Sequence, residues 1–540
     1  MPRGYLALVL HAHLPYVRHV DRDDYLEERW LYEALTECYV PLLDTFLRLA
    51  NDGVPFCLTL SLSPPLLNML LDPLLQTRYL NHLARLMELA EKEVFRTRTQ
   101  PAFAPVARMY RDRLRLVYHL YHEVYRDNLA AGFRELAERG HLELVTCAAT
   151  HAYLPLVGLQ REIVRAQVRI AADYHARLFG RRPVGMWLPE CAYHPGDDAE
   201  LAGAGIGYFF LDTHGVLFAR PRPRYGVFAP VYCPSGVAAF ARDPESSKQV
   251  WSAQEGYPGD YDYREFYRDI GYDLDWEYIG PYVHPSGLRV DTGFKYYRIT
   301  GRGNHKEPYV PERAREKAAL HAGNFMFNRE RQIEWLADRM DRRPIVVAPY
   351  DAELFGHWWF EGPQWLEFLC RKIAYDQNLI ALTTPGRYLA EYPVNQTVQP
   401  CGSSWGNEGY HEVWLCGAND WIYRHLHHAA EQMIELANRF TAPTSLQKRA
   451  LNQAARELLL AQSSDWAFIM KTGTMVEYAR RRTREHLLRF RRLYQGLREN
   501  DLDPEWLAEI ERADNIFPEL SYTYFRSGPV SSGAQASTAG

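Results

Sequence analysis

Seven short apolar runs set the order of this chain: Leu6–Leu10, Phe56–Leu62, Leu142–Thr146, Val184–Leu188, Tyr208–Leu211, Ile345–Ala348 and Leu379–Thr383. Each is followed by polar residues and usually by a helical stretch. Runs this short, bounded by Gly, Pro and charged residues, predict buried strands of a parallel sheet. Strands alternating with helices imply βα units and an α/β fold class. No Gly-x-Gly-x-x-Gly follows any run, so the pattern favours a barrel over a doubly wound nucleotide-binding sheet.

Three regions break the alternation. Residues 76–140 carry Leu80, Leu83, Leu86 and Leu89 at threefold spacing, then Leu116, Leu120 and Val124, which predicts a helical hairpin inserted between the second and third strands. Residues 221–310 are rich in Tyr, Pro, Gly and Asp without a long period. They read as extended loops over the barrel mouth, and loops of that length are usually functional. From 401 onward, helical patterns at 420–440, 445–462, 475–498 and 504–513 predict an all-helical C-terminal domain. The expected division is a catalytic barrel over 1–400, a helical domain over 401–525 and a disordered, low-complexity tail over 526–540.

Composition narrows the function. The 540 residues are 47% hydrophobic and 24% charged, enough for a large core. At about 150 residues per domain the length fits three to four domains, or one large barrel with additions. A net charge of −5 gives no basic surplus for a polyanion, so no nucleic-acid partner is expected. No apolar run is long enough for a membrane span. Leu6–Leu10 is too short for a signal peptide and runs into His11-Ala12-His13 rather than a cleavage site. Eight scattered cysteines with no Cys-x-x-Cys pair fit reduced thiols and a cytoplasmic location. Aromatics reach 13%, with 36 Tyr and 13 Trp; rings with an apolar face and a polar edge suit sugars.

Chemically capable residues gather after the apolar runs, where a (β/α) barrel builds its active site. They include His11 and His13, Ser61 and Ser63, Thr146 and His151, Glu190, Asp212 and His214, Asp351 and Glu353, and Thr383 and Thr384. Glu190, in Trp187-Leu-Pro-Glu-Cys191, and Asp351, in Tyr350-Asp-Ala-Glu353, are acids at two strand ends. Two carboxyl groups facing one mouth are what glycoside cleavage needs, one to attack the anomeric carbon and one to protonate the leaving oxygen. The histidines admit another reading. His11 and His13 alternate on one strand face and, with His151, His214 and Asp351, form a possible metal set. Sugar contact is an equal alternative on spacing alone, and satisfied polar residues at the barrel end are a third.

Five segments then resemble glycoside hydrolase family 57, and within it the α-1,4-glucan branching enzymes. They are His11-Ala-His-Leu-Pro-Tyr16; Gly140-His-Leu-Glu-Leu-Val-Thr146 continuing to His151; Trp187-Leu-Pro-Glu-Cys191; Tyr350-Asp-Ala-Glu-Leu-Phe-Gly-His-Trp-Trp359; and Ala461-Gln-Ser-Ser-Asp-Trp466. They stand in the family's order across residues 11–466. The resemblance implies an incomplete (β/α)7 barrel with a helical insertion and an all-helical C-terminal domain. It implies Glu190 as nucleophile and Asp351 as general acid/base, with His11, His13 and His151 on the sugar rather than on a metal. Trp405 and Asp465 match substrate-binding positions, and Arg264 and Gly280 look similar to further contacts. No metal or cofactor is expected, and the partner is an α-1,4-glucan such as amylose or glycogen, as donor and acceptor.

The implied mechanism is a retaining double displacement, which sets the two carboxyl groups about 5–5.5 Å apart and calls for a protonated Asp351. Glu353, two residues along, shares a face with Asp351 if both are extended; the family motif favours Asp351. Trp405, Trp358, Trp359 and the 234–262 loops are candidates to exclude water and stack the acceptor. A 4-α-glucanotransferase or an α-amylase would use the same chemistry. A metal-dependent hydrolase and a non-catalytic glucan-binding protein lie further off.

Overall fold

The computed structural model describes residues 1–252, 255–301, 303 and 305–528. Among these, nine strands occur: β1 (Gly4–Ala12), β2 (Leu58–Leu62), β3 (Leu142–Cys147), β4 (Gly185–Trp187), β5 (Tyr208–Leu211), β6 (Val231–Tyr232), β7 (Ala238–Ala241), β8 (Ile345–Asp351) and β9 (Ile380–Leu382). Each of the seven predicted runs forms one of them. The chain divides into two compact units. Of the described residues, the first holds those in Met1–Leu62, Leu66–Leu144 and Arg242–Pro393; the second holds those in Ser63–Pro65, Val145–Ala241 and from Val394 to Gly528.

In the first unit β1 is the central strand, buried along all nine residues, as its apolar run requires. It pairs in parallel with β2 and β8, and β9 joins it at Gly4–Leu6. Helix Gly362–Tyr375 connects β8 to β9, completing a βα unit. The predicted hairpin region is richer than two helices. It contains Pro73–Thr97, Ala104–Tyr118 and Leu129–Glu138, with a π-helical turn at His119–Val124. The first starts sharply because Asp72 accepts from the backbone N–H groups of Leu74 and Leu75 and Pro73 opens the helix.

In the second unit the end of β3 (Val145–Cys147), β4, β5 and β7 pair in parallel and β6 adds an antiparallel edge on β7. Strand β7 falls in the stretch expected to be extended loop. Its sequence, Ala-Ala-Phe-Ala, carries too little bulk to announce a strand, and pairing with β5 makes it one. The C-terminal helices are Trp421–Arg439, Ser445–Ala461, Ser464–Thr472, Val476–Glu499 and Pro504–Ala513. Four match the expected patterns; the short Ser464–Thr472 was not anticipated. Helix Ser445–Ala461 opens with a capping box from Thr444 and Gln447. Its C-terminal half is buried on every face, packed by Val476–Glu499, Trp421–Arg439 and Pro504–Ala513.

Of the expected tail, Arg526 donates to the carbonyls of Ala437 and Phe440, and residues 529–540 lie outside the described residues. No helix among the described residues is long and apolar enough to cross a membrane. None of the eight cysteines is in a disulfide. The fold class is α/β, an incomplete (β/α)7 barrel with a helical insertion and an all-helical C-terminal region.

Candidate active site

Two sets of the predicted site residues come together, one in each unit. In the first, Ser61, His11 and Asp351 form one row across β2, β1 and β8, because both Ser61 and Asp351 are register partners of His11. Registered residues of neighbouring strands project from the same face. His11 is buried, with Nδ1 3.0 Å from Ser61 Oγ, and its ring stacks against that of His13 at 5.8 Å.

Glu353 has a different environment from Asp351. Its Oε1 accepts from the Tyr39 hydroxyl at 2.5 Å and from the backbone N–H of His13 at 3.1 Å. Burial raises its pKa above the ordinary carboxylate value, against the lowering effect of those donors. Tyr39 lies at the end of a π-helical turn, Leu35–Tyr39, and Cys38 beside it donates to the Ala352 carbonyl. Glu353 thus ties β1, the π-turn and the loop after β8 together, while Asp351 ends the strand in register with His11. Sequence spacing did not separate these two acids; their partners do.

The second set surrounds Glu190. This residue sits in the turn Pro189–Cys191 after β4, with φ of +62°, and Cys191 follows with φ of +48°. Two consecutive non-glycine residues in the left-handed region are rare and are held only when the surroundings over-determine them. Trp405 supplies part of that constraint. Its backbone N–H donates to the Glu190 carbonyl at 3.0 Å, and its indole Nε1–H donates to Glu190 Oε2 at 2.7 Å. The indole is also edge-on to Trp187 at 5.1 Å.

Ser464 also faces the carboxylate, with Oγ 3.5 Å from Glu190 Oε1 and 2.9 Å from His151 Nδ1. Its backbone N–H donates to the His151 carbonyl, and His151 has φ of +54°. Asp465 follows at the start of helix Ser464–Thr472, its Oδ2 accepting from Ser463 Oγ at 2.5 Å. Sequence reasoning named Glu190, His151, Trp405 and Asp465. It passed over Ser464, although that residue lies inside the fifth quoted segment.

The remaining predicted residues are held by other partners. Arg264 is buried in the first unit, its guanidinium 4.0 Å above the Phe360 ring and directed at Glu37 Oε1 and the Tyr110 hydroxyl, both at 3.4 Å. Its backbone N–H donates to Glu361, which also accepts from the Tyr309 hydroxyl. Gly280 opens a short turn, and a Cβ there would stand 3.1 Å from the Trp276 ring. Of the aromatic candidates, Trp359 is buried among Phe355, Trp365 and Tyr263, whereas Trp358 is exposed. His214 donates Nε2–H to the Gly409 carbonyl at 2.8 Å, so that nitrogen is occupied as a donor and offers no lone pair to a metal.

The chain matches two family models: "Glycosyl hydrolase family 57" over residues 7–400 and "1,4-alpha-glucan branching enzyme, C-terminal" over 425–525. It is 33% identical to a 1,4-alpha-glucan branching enzyme of Thermococcus kodakarensis over 95% of this chain and 77% of that protein. Among solved structures, the alpha-amylase AmyC of Thermotoga maritima superposes with a TM-score of 0.92 at 45% identity, over 98% of this chain and all (100%) of that one. The GH57-type branching enzyme of Pyrococcus horikoshii gives 0.87 at 34% identity, over 98% and 97%.

Proposed function

The chain belongs to glycosyl hydrolase family 57, and from that premise we propose that it is a 1,4-alpha-glucan branching enzyme acting by a retaining double displacement. The observation that carries the chemistry is the Glu190 carboxylate, fixed on a strained turn with the Trp405 indole donating to one oxygen. A carboxylate aimed by hydrogen bonds and backed by a rigid strand end has what a nucleophile requires. The match of residues 425–525 to the branching-enzyme C-terminal model and the 33% identical relative support the branching outcome.

In this reading Glu190 attacks C1 of an α-1,4-linked glucosyl unit while Asp351 gives its proton to the departing O4. The C1–O4 bond breaks and a β-glucosyl ester to Glu190 forms. Asp351, now ionised, takes the proton from the 6-hydroxyl of an acceptor glucan. That oxygen attacks C1, the ester breaks, Glu190 is released as carboxylate and an α-1,6 branch is made with net retention. No step calls for a metal or cofactor. His11, His13, His151, Trp405 and Asp465 would contact the substrate, with Arg264 and Gly280 as further substrate contacts. The proposed organisation is a catalytic barrel over 1–400 with its helical insertion at 76–140, followed by a helical domain over 401–525. The natural partners would be amylose- or glycogen-type glucans in glycogen-type synthesis, in the cytoplasm, where reduced thiols are the rule.

An α-amylase is the second reading, favoured by the 45% identical Thermotoga maritima structure. Incubating the protein with amylose separates the two. Branching predicts α-1,6 linkages accumulating with few new reducing ends; hydrolysis predicts the reverse. Full activity in chelator together with its loss in Glu190→Gln would exclude a metal-dependent hydrolase and a purely binding role.

A further inference from the structure

The loop after Asp351 sends two adjacent tryptophans in opposite directions. Trp359 is 1% exposed and Trp358 is 57% exposed. The loop is not slack. The N–H of Gly356 donates to the Trp359 carbonyl, that of Trp358 to the Glu353 carbonyl and that of Trp359 to the Leu354 carbonyl. Gly356 has φ of +114°, and a Cβ there would stand 1.9 Å from the Glu37 carbonyl oxygen, so only glycine allows this closure. The outward position of Trp358 is therefore built in by the backbone.

The exposed indole is also braced. It stacks on Phe266 at 4.6 Å with an interplanar angle of 18°. His357 stands edge-on to both rings, at 5.4 Å from Trp358 and 5.5 Å from Phe266. Its own orientation is fixed by Nδ1, 2.8 Å from Glu37 Oε2. Tyr267, 79% exposed, extends the aromatic surface edge-on to Phe266. A large apolar ring held rigidly in water is a mark of a binding surface. Pre-ordering it removes the entropy that a mobile ring would lose on binding.

We propose that the Trp358–Phe266 pair is a stacking platform for a glucosyl unit of the α-glucan, outside the bond being broken. The proposal rests on the glucan reading above. An indole presents a flat apolar face of the size of one pyranose, whose C–H face packs on it while the hydroxyls reach polar neighbours. Here His357 and the Tyr267 phenol supply such neighbours. A single braced ring pair is far smaller than the roughly 800 Å² per partner of a stable protein–protein contact. The platform stands on the loop that leaves Asp351, so it would position a chain that runs past the strand end.

Maltoheptaose binding by Glu190→Gln, which cannot turn the ligand over, is the direct test. Adding Trp358→Ala should weaken binding about tenfold, with Trp358→Phe intermediate because a smaller ring still stacks. In the active enzyme Trp358→Ala should raise KM for amylose by a similar factor and change kcat less than twofold. Circular dichroism would confirm that both variants fold. Unchanged binding and KM, or a fall in kcat alone, overturns the platform while leaving the branching reading intact. Failure of the parent enzyme to bind maltoheptaose or act on amylose overturns both.

Discussion

The indole nitrogen of Trp405 lies 2.7 Å from Glu190 Oε2, while the backbone nitrogen of the same residue donates to the Glu190 carbonyl at 3.0 Å. One residue, 215 positions away in sequence, therefore fixes both the strained backbone and the carboxylate of the proposed nucleophile. Trp405→Phe keeps the ring and removes the N–H. A hydrogen bond to a charged group contributes about 1.5–3 kcal/mol, so kcat/KM should fall by roughly ten- to a hundredfold. Trp405→Ala should in addition raise hydrolysis relative to branching, read as reducing ends against α-1,6 linkages on amylose. An unchanged ratio would remove Trp405 from any role in excluding water.

The two acids of the loop after β8 should respond differently to loss of charge. Asp351→Asn should lower kcat by about 10²–10⁴-fold, the usual contribution of a general acid, with the melting temperature close to that of the parent. Glu353→Ala should chiefly lower the melting temperature, because it removes the Oε1 to which the Tyr39 hydroxyl and the His13 N–H donate, whereas Glu353→Gln keeps that acceptor and should change both stability and activity little. If Glu353→Gln abolished activity without loss of stability, the assignment of roles between the two would be reversed.

Glu37 makes acid stability a specific test. It is buried, which opposes ionisation, but the Arg264 guanidinium and His357 outweigh that and hold its pKa down to about 2. A folded value below the ordinary 4.5 means that the fold favours the charged form. That contribution is complete above pH 4.5 and disappears as the pH falls toward 2. The melting temperature of the parent should exceed that of Glu37→Gln at pH 6, and the gap should narrow steadily below pH 4.5. His357 has the opposite sign. Its pKa is raised by Glu37 despite burial, so its contribution is full below the ordinary value of 6.5 and fades as the pH rises through its folded value. A gap independent of pH would show that Glu37 matters for packing rather than charge.

The helical region of the second unit holds a buried polar cluster. His486 Nδ1 lies 2.7 Å from Glu457 Oε2, and Asp514 accepts from Arg482 at 3.2 Å and from Arg489. Burial pushes the Glu457 carboxyl well above its usual range and His486 well below, whereas the neighbouring charges hold Asp514 at about 2 despite its burial. Asp514 is then the ionised member facing two arginines. Removing one partner of a buried pair costs about 3–5 kcal/mol. Asp514→Ala should lower the melting temperature more than any exposed carboxylate variant such as Glu431→Ala. A small change would place little of the domain's stability in the cluster.

The seven predicted strands, four of the C-terminal helices and the placing of Glu190 and Asp351 at strand ends were legible in the sequence because their signals are local. A buried parallel strand must be a short apolar run, and a packed helix must repeat its apolar face every three to four residues. Strand β7 escaped because alanines become a strand only through their neighbour. The third insertion helix and the 464–472 helix were missed because short or adjoining helical periods merge. What tertiary structure alone decided is which side chain meets which. Asp351 and Glu353 are two residues apart and alike in chemistry, yet one stands in register with His11 and the other is enclosed by Tyr39 and the His13 N–H. Trp358 and Trp359 are identical neighbours sorted into water and core by a turn at Gly356. Spacing carries the period of an element; the partners of a side chain depend on chain segments hundreds of residues away, and only closure of the fold brings those within reach.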